Sequence, residues 1–178
     1  MTIKTHADHL LQRTGLLDCL QRYANVHITG SYRMDIMSWN DLDIYLEADP
    51  ASFNIYPMIA EVNSLLHPHR FDGFTDKGKA FYGLETFVAG ERWNIDIWIK
   101  TADEIRRSIE YCTSISQIIS DNPAKRNAIL SIKAELISMG LYGFDKNKDH
   151  HYHSNEIYDA VLQEDILTTE ELLRRHPV

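Results

Sequence analysis

Cysteine is scarce in this chain, with only Cys19 and Cys112 among 178 residues. They lie far apart and show no metal-type spacing, which excludes a disulfide framework and a cysteine-based metal site and leaves two buried thiols. Long hydrophobic runs are absent as well. No apolar stretch approaches the ~20 residues that cross a bilayer, and Met1-Thr2-Ile3-Lys4 is followed by polar residues. Neither a membrane span nor a signal peptide is expected, and the expected location is cytoplasmic. Positive charge is the minority sign: 18 basic residues against 26 acidic ones give a net charge of -8 and a pI near 5.5. That balance, and the lack of a basic tract interleaved with aromatics, counts against nucleic acid as a partner. No internal repeat or low-complexity tract is visible.

What is present is ordinary in amount and specific in pattern. The 44% hydrophobic content suits a globular chain long enough for a substantial core. Val26-His27-Ile28-Thr29 reads as a short strand running into Gly30-Ser31, where a residue without Cβ lets the backbone turn tightly and approach a ligand. Nine residues separate Ser31 from Asp41-Leu42-Asp43, which opens a second strand, and Asp96 interrupts the apolar run Trp93-Asn94-Ile95-Asp96-Ile97-Trp98-Ile99. Strand alternation sends Asp41 and Asp43 to one face while Leu42, Ile44 and Leu46 face the core. By the same rule Asp96 shares a face with Asn94 and Trp98, opposite Ile95, Ile97 and Ile99. If the two strands pair, three carboxylates crowd one patch and raise each other's pKa. A hard divalent ion with oxygen ligands relieves them, and a strand, Gly-Ser turn and helical turn together offer backbone donors to phosphate.

Gly30, Ser31, Asp41, Asp43 and Asp96 together resemble the DNA polymerase β-like nucleotidyltransferase superfamily, over roughly residues 25 to 100. The likeness is strongest to its small bacterial members, such as the antibiotic nucleotidyltransferases. Many of these continue Gly-Ser with x-Ala-Arg-Gly, whereas this chain reads Tyr32-Arg33-Met34-Asp35, so Arg33 arrives one place early. The resemblance implies an α+β fold, a mixed sheet flanked by helices, and transfer of an NMP from an NTP, ATP by expectation, to an acceptor hydroxyl. It implies Mg²⁺, as two ions, held by Asp41, Asp43 and Asp96. Asp96 doubles as the base, and Gly30, Ser31 and Arg33 bind the nucleotide. The acidic balance fits a small-molecule acceptor such as an antibiotic. The alternatives are an antitoxin-like protein that binds or modifies a protein partner, and a nucleic-acid end transferase. Acceptor identity, base preference and oligomeric state stay open.

The expected organisation is a catalytic core over 1–110 and a helical C-terminal region over 111–178 packed on it. Leu10, Leu11, Leu16, Leu17 and Leu20 form an apolar helical face that Gly15 divides in two. Ile55, Met58, Ile59, Val62, Leu65 and Leu66 mark a helix capped by Asn54, with Pro57 in its first turn. A loop is expected from His67 to Gly78. A strand from Phe81 to Val88 then turns back through Ala89-Gly90-Glu91-Arg92 into the strand that carries Asp96. Asn122 and Pro123 open another helix that Gly140 follows. Further helices start near Ser154 or Asn155 and at Thr168, where Glu171 completes a capping box.

Other residues carry a weaker signal. Asp149-His150-His151-Tyr152-His153 has transition-metal ligands but reads better as a solvated loop. His67 and His69 read as loop residues. Lys125, Arg126, Lys133, Arg106 and Arg107 read mainly as solvated helix faces from which one cation reaches a triphosphate. Trp39 and Tyr45 are core residues before they are base-stacking ones.

Overall fold

The computed structural model describes residues 2–76, 78–143 and 151–178. Its contacts divide the chain into two units, Met1–Thr113 and Ser114–Val178.

Unit 1 is a mixed five-stranded sheet with helices. In chain order come α1 (Ile3–Arg13), α2 (Leu16–Gln21), β1 (Asn25–Ile28), α3 (Gly30–Arg33), β2 (Asp41–Glu47), α4 (Ile55–Leu66), β3 (Arg70–Asp76), β4 (Lys79–Val88), β5 (Glu91–Lys100) and the start of α5 (Ala102–Asp121). The strand order is β1-β2-β5-β4-β3. Among these described strands β2 and β5 pair in parallel and the other neighbours pair antiparallel.

Local chemistry explains most of these boundaries. Gly15 takes φ +78° between α1 and α2. The Asn54 side chain accepts from the Tyr56 amide to open α4, and His67 closes that helix at φ 45°. Between β4 and β5 the two-residue turn Ala89-Gly90 has positive φ at both positions (52° and 82°). That is the backbone twist which matches flanking antiparallel strands.

The alternation read in β2 and β5 holds residue by residue. Leu42, Ile44, Leu46, Ile95, Ile97 and Ile99 are buried, with Asp41, Asp43, Asn94, Asp96 and Trp98 on the other face. Leu10, Leu16, Leu20, Met58 and Val62 join the apolar face in one core cluster. Truncating any one of these Leu or Met side chains to Ala costs about 2–5 kcal/mol.

One expectation fails here. The loop proposed from His67 to Gly78 contains β3, paired antiparallel with β4 from Arg70↔Glu85 to Asp76↔Lys79. Every residue of this edge strand is exposed, so it lacks the buried apolar alternation that would announce it.

Unit 2 holds the rest of α5, then α6 (Pro123–Ser138), α7 (Ser154–Gln163) and α8 (Thr169–Arg175). Asn122 caps α6 through the Lys125 amide, and the Thr168 side chain caps α8 through the Glu171 amide. Ile129, Ile132, Leu136, Ile157, Val161 and Leu172 are among its buried apolar residues. Lys133, read as part of a solvated face, is instead 1% exposed. Its Nζ lies 3.4 Å from the Tyr158 hydroxyl and 5.6 Å from the ring centroids of Tyr142 and Tyr158. Lys125 pairs with Asp165 at 2.6 Å. Of the Asp149–His153 segment, Asp149 and His150 lie outside the described residues. Tyr152 is buried, and the His153 amide donates to Glu156 at the start of α7. That contact caps the start of α7. Among the described residues no helix is long and apolar enough to cross a membrane.

Candidate active site

The sheet register builds the site. Antiparallel pairing of β1 with β2 ends with the Thr29 amide donating to the Asp43 carbonyl at 2.9 Å, which sets Gly30 against the Asp43 side chain. Gly30 has φ +60°, and a Cβ there would collide with Asp43 Oδ2. Only glycine meets both conditions, the left-handed backbone and the close approach of a carboxylate. Ser31 follows, nearly buried, in the single helical turn α3, and Arg33 closes that turn with its side chain exposed. Four residues make a weak macrodipole, so the anion-binding capacity of the turn lies in its leading amides, which have no helical acceptor.

Parallel pairing of β2 with β5 puts Asp43 directly opposite Asp96. Asp41 falls one step away, opposite Asn94, whose Nδ2 donates to Asp41 Oδ1 at 2.7 Å. The Asn94 amide also donates to the Asn40 carbonyl at 2.9 Å, and Asn40 Nδ2 to the Arg92 carbonyl at 3.1 Å, so the start of β2 is clamped to β5. The structure therefore brings Asp43, Asp96 and the Gly30 turn together and holds Asp41 beside them through Asn94. Burial, and then the facing Asp43 carboxylate, push the Asp96 carboxyl up to about 6, against the lowering influence of Asn94.

Among the described residues, no three His, Cys, Asp or Glu side chains gather into a closed metal cluster. Mg²⁺ does not need one, because it takes one or two protein carboxylates and completes its shell with phosphate and water. Two hard-oxygen carboxylates face to face on one sheet surface, one of them with its pKa raised by burial and by the other's charge, suit such an ion.

Three participants escaped the sequence reading. Gly83 pairs with Asp96 across β4 and β5; a Cβ there would lie 3.0 Å from Asp96 Oδ1 and 2.6 Å from Phe81 Cζ. A glycine inside an aromatic strand was the available signal for such an approach. Asn94 was visible only as a neighbour on the same face. Cys112, buried on α5, is in hydrogen-bond contact with the Gly30 backbone, and burial raises its thiol pKa. Its distance in sequence from Gly30 left no local signal. Tyr45 and Trp39 are half-buried, Tyr45 on the carboxylate face opposite Trp98.

No family model and no curated protein matches the sequence. Solved structures do match in three dimensions. The Cid1 poly(U) polymerase bound to Mg and 3′-dATP is similar at TM-score 0.65 and 15% identity, over 89% of this chain and 48% of that one. The non-canonical poly(A) polymerase complex GLD-2–GLD-3 gives 0.65 and 13%, over 98% and 58%. The polymerase core of TRAMP, an RNA surveillance complex, gives 0.63 and 15%, over 95% and 50%. This chain thus spans about half the length of these structures. The mixed five-stranded sheet with its helices is thus a fold shared with these polymerase structures.

Proposed function

We propose that the protein transfers a nucleoside monophosphate from a nucleoside triphosphate to an acceptor hydroxyl, whose oxygen bonds to the α-phosphorus as the bond to the β-phosphate breaks and pyrophosphate leaves. The observation that carries this reading is the opposition of Asp43 and Asp96 across parallel strands beside the glycine turn. Mg²⁺ held by Asp41, Asp43 and Asp96, as a pair of ions, would supply charge neutralisation at the triphosphate. The amides of the Gly30 turn and the Ser31 hydroxyl bind the terminal phosphates, with Arg33 available at the end of the turn. Asp96 takes the proton of the acceptor hydroxyl at a carboxylate oxygen. In the metal-free site its pKa, raised to about 6, leaves it ionised at neutral pH, as a base or a metal ligand must be.

ATP is the proposed donor and the cytoplasm the proposed location. A small-molecule acceptor agrees with the net charge of -8. A nucleic-acid end is the second reading, favoured by the poly(U) and poly(A) polymerases that share the fold. Labelled NTPs with Mg²⁺ incubated against small hydroxyl compounds, proteins and RNA decide between them by which acceptor gains label. Asp96→Asn supplies the mechanistic check. It should still bind Mg²⁺-NTP yet lose turnover by about 10² to 10⁴. An equal loss of binding and turnover would reduce Asp96 to a ligand.

A further inference from the structure

Asp43 and Asp96 occupy one cross-strand row of the carboxylate face, Asp43–Asp96–Gly83–Asp72, and the next row is aromatic: Tyr45–Trp98–Phe81–Phe74. Three of these rings touch. Trp98 and Phe81 centroids are 4.4 Å apart, Phe81 and Phe74 5.6 Å, and Phe74 stands edge-on to Trp98 at 6.0 Å. Lys100 Nζ lies 5.3 Å from the Trp98 centroid, so that end of the row carries a cation and an incoming ring meets Phe81 and Phe74. Phe74 is 42% exposed and Phe81 and Trp98 half-buried, whereas on the opposite face of β4 and β5 Tyr82, Leu84, Ile97 and Ile99 are buried.

Position assigns the row to one side of the reaction. The Gly30 turn adjoins Asp43 from β1, whereas Trp98, Phe81 and Phe74 extend from Asp96 across β5, β4 and β3, away from that turn. The ring of Phe81 leans over Gly83 into the space a Cβ would fill, where Asp96 Oδ1 is the other neighbour. A planar group stacked on Phe81 therefore carries its substituents to the carboxylate that would accept the hydroxyl proton.

We propose that Phe74, Phe81 and Trp98 form a stacking platform for a nucleobase-like planar heterocycle of the acceptor, presented either by a free nucleoside or by the end of a single strand. Its assignment to the acceptor rests on the nucleotidyltransferase reading; the platform itself does not. Every base has a π-face, so such a platform holds rings without reading their edges.

The test titrates adenosine, a hexa-adenylate ribonucleotide and glucosamine, a hydroxyl-rich control without a planar ring. Binding is followed by tryptophan fluorescence, without metal or NTP, so the result is independent of Mg²⁺-NTP binding, which is measured separately. At least one planar probe should bind and glucosamine should not. The Phe74→Leu/Phe81→Leu variant, with its fold checked by circular dichroism, should bind that probe about tenfold or more weakly, as the loss of base stacking on an aromatic requires. Phe81→Tyr should retain it. Salt separates the two sources, since affinity for the strand falls with ionic strength and affinity for the nucleoside does not. The proposal is overturned if neither planar probe binds the wild-type protein or if the double Leu variant binds as the wild type does. Failure of Mg²⁺-NTP binding with ring binding intact would overturn the transfer reading and leave the platform standing.

Discussion

Replacing Asp96 by Asn should change how stability depends on pH. In the folded protein burial and Asp43 raise the Asp96 pKa from 3.8 to about 6. In the unfolded chain the carboxyl keeps its ordinary value, so between these two pH values the folded state holds more proton than the unfolded one. The slope of unfolding free energy with pH is then negative: this group weakens the fold as pH rises through the window. A shift from 3.8 to about 6, at roughly 1.4 kcal/mol per unit, amounts to about 3 kcal/mol. That loss is complete above about pH 7, and roughly half of it is already present near pH 5. Asp96→Asn removes the charge and keeps the shape. The variant should match the wild type near pH 4 and exceed it by about 3 kcal/mol at pH 8. Urea unfolding followed by circular dichroism across this range, in EDTA, measures both proteins. A stability difference that stays constant with pH would refute the argument, because it would mean that Asp96 titrates normally in the fold.

Asp43→Asn should fold, lower the Asp96 pKa by removing its facing charge, and greatly weaken Mg²⁺-NTP binding; calorimetry and thermal melts with and without Mg²⁺-ATP check this, and unchanged affinity would remove Asp43 from the site. Gly30→Val should abolish binding of a non-hydrolysable NTP, because its Cβ meets the Asp43 carboxylate and a β-branched residue is strained at φ +60°. Ser31→Ala should cost only about 1.5 to 3 kcal/mol, the loss of one hydrogen bond to a charged group, and titration of each folded variant compares the two. Wild-type affinity in Gly30→Val would show that the turn does not hold phosphate.

The periodicities and caps that act within a few residues were legible in the chain alone. Alternation in Asp41-Leu42-Asp43-Ile44 and in Ile95-Asp96-Ile97 assigned each side chain to its face, and burial follows that assignment throughout β2 and β5. Asn54, Asn122 and Thr168 announced their helices because capping needs only one side chain and the next amides. Edge strand β3 was not legible, since an exposed strand buries nothing and leaves no apolar rhythm.

The decisive geometry lay beyond such rules. Alternation fixes a strand's register only modulo two: sliding β2 by two residues along β5 keeps every apolar side chain inside, yet sets Asp41 or Tyr45 against Asp96 instead of Asp43. The choice among these registers depends on the whole core and on contacts such as Asn94 with Asp41 and Thr29 with Asp43, which join residues far apart in sequence or in different elements. The same long-range packing laid Phe81 over Gly83 beside Asp96 and brought Cys112 to the Gly30 turn. Residue types determined which chemistry was available; the pairing of β2 with β5, which no local interaction specifies, determined which carboxylates share it.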